Sequence, residues 1–121
     1  MEYIRINHEI IKEWCAKTLL FYGAKPKDAS IVANVLVEAD MREIASHGVA
    51  GGSGLDDIIS KIQQGGINNN YNLQFPSVEK MKYPTIINVD ADGGPGRSIA
   101  VTCGEIVKNI ARKYGKGIVY L

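Results

Sequence analysis

The chain has 121 residues, with 14 basic and 13 acidic side chains for a net charge of +1, and is 45% hydrophobic and 22% charged. That is long enough to bury a core as one domain, and the composition is that of a folded chain rather than a disordered one. Nucleic-acid partners are not expected, because no basic excess or basic stripe is present. No membrane span is expected either: the longest apolar runs, Leu19–Tyr22 and Ile118–Leu121, are far below the ~20 residues a bilayer needs. The amino terminus MEYIRINHEI lacks an apolar h-region, so it does not read as a signal peptide. Cys15 and Cys103 form no CxxC pair and read as buried, reduced thiols of a cytoplasmic protein. His8 and His47 are the only histidines, which leaves no usual set of metal ligands.

The first predicted helix runs from about Asn7, a good N-cap, to Tyr22, with Ile11, Trp14, Cys15, Thr18 and Tyr22 on its apolar stripe. Gly23 suits a left-handed C-cap. A second helix is predicted from Pro26 to Arg42, with Pro26 in the first turn and Val32, Val35, Leu36 and Ala39 on one face. A polar break, Glu43 to Ser46, follows, and Ser46 is placed as the N-cap of a third helix. Gly48, Gly51, Gly52 and Gly54 weaken the start of that helix by about 1 kcal/mol each. The expectation is an irregular stretch from Gly48 to Gly54, then a firm helix to Gln64 carrying Leu55, Ile58, Ile59 and Ile62.

Residues 67–84 read as loop, punctuated by Asn68–Asn70, Pro76 and Pro84. A strand is predicted over Thr85–Val89 and a Gly-rich loop over Asp90–Gly96. A fourth helix, Arg97–Tyr114, presents Cys103, Ile106, Val107, Ile110 and Tyr114 on one face, and a second strand covers Gly117–Leu121. The fold class is therefore α/β, in an α+β mix: a helical segment over 1–66, the loop, and a strand–helix–strand unit over 85–121. A chain ending on an apolar strand leaves a hydrophobic edge. It is expected to be the amino-terminal portion of a longer protein, the alternative being a small domain whose last strand docks in a sheet.

Two places carry possible chemistry. Gly94-Pro95-Gly96 sits between a predicted strand and a helix start, a context that favours anions. However, Ile99 stands where a dinucleotide fingerprint needs its third glycine, and no Walker lysine follows. A plain tight turn is the favoured reading there, with phosphate contact as the alternative. His47 follows the polar break, beside Ser46 and Gly48; imidazole is the usual general acid or base, and a capping or packing histidine is the plainer reading. His8 has no such context and is expected at the surface.

The stretch Glu38-Ala39-Asp40-Met41-Arg42-Glu43-Ile44-Ala45-Ser46-His47-Gly48-Val49 resembles the signature of the malate/L-lactate/sulfolactate dehydrogenase family, A-D-L-R-G-x-x-S-H-G-V-x-R-L. These are nicotinamide-dependent oxidoreductases without a Rossmann fold, including ureidoglycolate and diketogulonate types. Gly65-Gly66-Ile67-Asn68 matches the family's G-x-I-N, and Val89-Asp90-Ala91-Asp92-Gly93-Gly94-Pro95-Gly96 matches its V-D-G-D-x-G-x-G. The three signatures occur in register over essentially the whole chain. Members are longer, and this chain corresponds to their amino-terminal part.

The departures are specific. The family glycine after Arg42 is Glu43, and the aspartate before the serine is Ala45. The arginine that looks like the family's clamp for the substrate carboxylate is Gly51, the following leucine is Gly52, and a later tyrosine is Leu55. Glycine offers nothing comparable to a bidentate guanidinium.

The resemblance implies hydride transfer between a nicotinamide, NAD or NADP, and a 2-hydroxy/2-oxo acid. His47 would be the proton donor and acceptor. Ser46 would hold substrate or orient His47, and Arg42 would be a weak substrate contact. The resemblance also implies a homodimer, with most cofactor positions beyond Leu121. On this reading the 121 residues are inactive or nearly so alone. The competing readings are a catalytically silent assembly or binding module of the same fold, and a small phosphate-binding domain using Gly93–Gly96.

Overall fold

Asn7 starts the first helix as the sequence requires: its side-chain oxygen accepts the Glu9 N–H at 2.8 Å. The computed structural model describes residues 4–77 and 81–121. Its elements are α1 (His8–Phe21), α2 (Pro26–Met41), a single 3₁₀ turn (Ala45–His47), α3 (Leu55–Gln63), β1 (Ile86–Asn88), α4 (Gly96–Tyr114) and β2 (Ile118–Tyr120). The fold is a mix of helix and strand, with the helices leading and a strand–helix–strand unit following. The chain divides into two compact units, Met1–Asn69 and Asn70–Leu121. Residues 78–80 of the expected 67–84 loop lie outside the described residues.

In the first unit α1 and α2 form a helical hairpin. Gly23, at φ +93°, ends α1: its N–H reaches Leu20 O and the Ala24 N–H reaches Leu19 O, both at 3.0 Å. The core joins Cys15 and Leu19 of α1, Ala29, Val32, Ala33 and Leu36 of α2, and Leu55 and Ile58 of α3, with Ile59 and Ile62 half-buried against them. The α3 face meets the core as expected, but the α2 face is rotated: Val32 and Leu36 are in the core with Ala29 and Ala33, while the expected Val35 and Ala39 are only half-buried. The stripe expected on α1 is shifted as well. Trp14 is 54% exposed, while Leu19, absent from that stripe, is 1% exposed. The buried line runs Ile11–Cys15–Leu19 at fourfold spacing, and Trp14 lies one residue, about 100°, off it.

In the second unit β1 and β2 are parallel, with Ile86 opposite Ile118, Ile87 opposite Val119 and Asn88 opposite Tyr120. The alternation leaves Ile87 and Val119 on the inner face, packed with Tyr71 and Leu73 against Val89, Ile99 and Cys103. Gln74 and Asp90 add an antiparallel bridge. The face expected on α4 is buried only at Cys103; Ile106, Val107 and Ile110 are half-buried, and Tyr114 is exposed. Both cysteines are free and buried.

Candidate functional site

The site residues sit where α2 stops. Its end is a Schellman turn: the Glu43 N–H reaches Asp40 O at 3.0 Å and the Ile44 N–H reaches Ala39 O at 2.9 Å. This geometry needs a left-handed residue at position 43, and Glu43 adopts it at φ +60°. The same role falls to Gly23 after α1 and to Gly65, φ +79°, after α3. Glu43, which departs from the family glycine, therefore keeps the backbone that a glycine would favour.

Ser46 is not the N-cap of a third helix. It lies inside the 3₁₀ turn Ala45–His47, and α3 begins eight residues after His47, at Leu55, behind Gly54. The stretch between is irregular, as expected, yet its own backbone ties it. His47 N–H reaches Ile44 O at 3.0 Å, Gly54 N–H reaches Gly51 O at 2.9 Å and Leu55 N–H reaches Val49 O at 2.9 Å. Side chains are excluded where the strands of this turn cross. A Cβ on Gly51 would stand 2.4 Å from Ser46 O, and one on Gly54 would stand 2.4 Å from Val49 O. The glycines are here for close backbone approach rather than as a weak helix start. An arginine at position 51 has no room on this backbone, so the clamp cannot be restored there by substitution alone.

The turn brings Ser46 and His47 together, Oγ to Nδ1 at 2.9 Å, and both residues are exposed. Arg42 folds back on its own helix: Nη2 and Nε lie 2.8 and 2.9 Å from Glu38 Oε1. Both partners are exposed, so the pair is weak and open to exchange for another carboxylate. Arg42 is the one Lys or Arg in the segment 38–55. His8 is half-exposed with Nδ1 3.1 Å from Glu9, and it lines a cleft shared with Arg5, Asp40, Glu43 and Val49.

One further residue of this region was not singled out by its sequence. Asp40 reaches from α2 to the turn: Oδ2 accepts the Val49 N–H at 2.9 Å, and the carboxylate lies over Gly48, where a Cβ would stand 1.7 Å from Oδ1. Asp40 is the aspartate of the matched A-D-L-R-G-x-x-S-H-G-V signature, but the signature does not say what its carboxylate touches; the folded chain shows the contact.

The Gly93–Gly96 loop does not fit a dinucleotide. A Cβ on Gly94 would stand 2.5 Å from the Tyr71 ring and 2.7 Å from Ile99 Cδ1, so that glycine serves core packing. The Gly94 N–H already donates to Ala91 O at 2.9 Å. Asp92, at φ +50°, accepts the Asn72 N–H at 3.0 Å, and Asp90 accepts the Asp92 N–H at 2.9 Å. Two carboxylates in the loop oppose a phosphate. Among the described residues no group of three or more His, Cys, Asp or Glu is placed to hold a metal, and no helix is long and apolar enough to cross a membrane.

Comparison with known proteins agrees with the signatures. The malate/L-lactate dehydrogenase family matches residues 6–121. A malate dehydrogenase of Pyrococcus abyssi is 32% identical over 118 residues, 97% of this chain and 30% of that protein. The structure of malate dehydrogenase from Pyrococcus horikoshii superposes with a TM-score of 0.86 at 29% identity, covering 97% of this chain and 32% of that one. Sulfolactate dehydrogenase from Methanocaldococcus jannaschii gives 0.84 at 25% identity, covering 96% and 32%. The chain thus spans about a third of the length of these relatives. It belongs to the malate/L-lactate dehydrogenase family.

Proposed function

We propose that this chain is the amino-terminal part of an oxidoreductase that interconverts a 2-oxo acid and its 2-hydroxy acid with a nicotinamide cofactor, NAD or NADP, and that His47 moves the proton. The observation that carries this is the Ser46–His47 pair at 2.9 Å on an exposed, tightly tied turn, within a family signature. In this reading Nδ1–H donates to Ser46 Oγ, 2.9 Å away. The other ring nitrogen, Nε2, is then the one that faces chemistry. In reduction the imidazolium gives its Nε2 proton to the carbonyl oxygen as charge develops there, leaving neutral imidazole; in oxidation Nε2 takes the hydroxyl proton back. The Ser46 hydroxyl hydrogen remains free to hold the substrate oxygen. Arg42, the one Lys or Arg within the segment 38–55, contacts the substrate carboxylate by exchanging it for Glu38.

The described residues offer no dinucleotide cradle, so no cofactor contact is assigned to them. That contact and the rest of the site are proposed to lie in sequence corresponding to the other two-thirds of the relatives, and the whole protein to be a homodimer. The test is oxidation of NADH and NADPH by the gene product that contains this chain, against a panel of 2-oxo acids including oxaloacetate, pyruvate and sulfopyruvate. Turnover with none of them contradicts the proposal. A catalytically silent module would give the same null result, and is separated by binding: it retains the fold and binds no 2-oxo acid.

A further inference from the structure

We infer that Asp40 is the positioning residue of the Ser46–His47 turn. Two independent contacts carry this. Asp40 Oδ2 accepts the Val49 N–H at 2.9 Å, and the carboxylate occupies the space above Gly48 that any side chain there would fill. Val49 and Gly48 immediately follow His47, so the carboxylate pins the trailing end of the turn to α2. The leading end is pinned by the Schellman bonds of Glu43 and Ile44 to Asp40 O and Ala39 O. Residues 39 and 40 of α2 therefore hold both ends of the segment that carries Ser46 and His47. The fit is reciprocal: a glycine at 48 is required because the carboxylate is there, and an acceptor at 40 is required because the Val49 N–H, facing the helix, has no other acceptor among the bonds of this turn. Asp40 touches no reacting atom; its effect passes through the backbone to the His47 ring.

The kinetic consequence rests on the proposed role of His47, whereas the structural one does not. The experiment is a double-mutant cycle on Asp40→Ala and Gly48→Ala, with Asp40→Asn as the conservative variant, in the gene product containing this chain. Hydrogen–deuterium exchange over residues 44–55 is read beside kcat and KM. Asp40→Ala is expected to raise exchange at Val49 and its neighbours without changing exchange in α1. It is also expected to lower kcat by about 10²-fold, the cost of roughly 1 Å of misplacement, with KM for the nicotinamide cofactor unchanged. Gly48→Ala, which drives a methyl into the carboxylate, is expected to do the same. The two together are expected to fall no further than either alone, because each removes one contact. Asp40→Asn retains an oxygen acceptor of equal size and restores most of the protection and of kcat. Wild-type exchange over 44–55 in Asp40→Ala, additive losses in the double variant, or no rescue by Asn would each overturn the inference. His47→Ala in the same assay separates the two claims: if it keeps full kcat the proton role fails, while the exchange data still decide whether Asp40 holds the turn.

Discussion

Ser46 Oγ and His47 Nδ1 are neighbours in chain and in space, 2.9 Å apart on one 3₁₀ turn. The two side chains are exposed at the end of α2, free of packing that would hold them apart. Ser46→Ala removes one neutral hydrogen bond, about 0.5–1.5 kcal/mol, so kcat is expected to fall roughly two- to tenfold. Steady-state kinetics on the purified variant checks this; a loss as large as that of His47→Ala would mean that Ser46 does chemistry itself.

Glu43 holds a left-handed backbone that costs a non-glycine residue about 1–2 kcal/mol. Glu43→Gly relieves that strain and gives back about 0.5–1 kcal/mol in chain entropy. The net expectation is a gain of about 0.5–1 kcal/mol in denaturant unfolding, with the m-value unchanged. Glu43→Val, β-branched, is expected to destabilise. Equal stability of all three would mean that the turn relaxes.

Gly51 and Gly52 are adjacent and opposite in character. A Cβ at 51 meets Ser46 O at 2.4 Å, whereas one at 52 meets nothing within 4 Å. Gly51→Ala is expected to destabilise by about 1–3 kcal/mol and to lower activity, while Gly52→Ala is neutral to about 0.5 kcal/mol. Thermal melts of both variants decide it. Gly51→Arg should behave like Gly51→Ala and worse, rather than tighten binding of a 2-oxo acid.

The helical register of α1 was legible only in part. Asn7, Gly23, Pro26 and the α3 face follow from local chemistry, and the structure places them as the sequence suggests; the α2 face does so at Val32 and Leu36 but not at Val35 and Ala39. Trp14 misled because a large aromatic at helical spacing looks like core; which of two neighbouring lines faces α2 depends on the partner helix. The Gly48–Gly54 stretch is irregular as its glycines suggest, but the reason is not legible in them. Glycine content reports a need for backbone freedom, but not that three chain segments cross there. Asp40 stands in the matched signature, but its bond to the Val49 N–H depends on where the turn folds back, which the signature does not give. Leu19→Ala is accordingly expected to cost about 2–5 kcal/mol, and Trp14→Ala distinctly less. The reverse order would contradict the packing.

Burial pushes the Cys15 thiol above its ordinary range, with the Asp40 charge adding to it, and burial does the same at Cys103. A thiol whose folded pKa is raised contributes stability below its unfolded value, about 8.5, and loses it as pH rises beyond. The folded protein is expected to lose stability above about pH 8.5, and Cys15→Ala to lessen that decline. Thiol reagents are expected to label both cysteines only after denaturation; fast labelling in the native state would contradict their burial.

The most direct test of the account is His47→Ala in the gene product that contains this chain, assayed for NAD(P)H-dependent reduction of its preferred 2-oxo acid. Loss of the proton donor predicts a fall in kcat of roughly 10²–10⁴-fold with the melting temperature unchanged. Wild-type kcat would show that His47 only caps the turn, and that the proton comes from elsewhere.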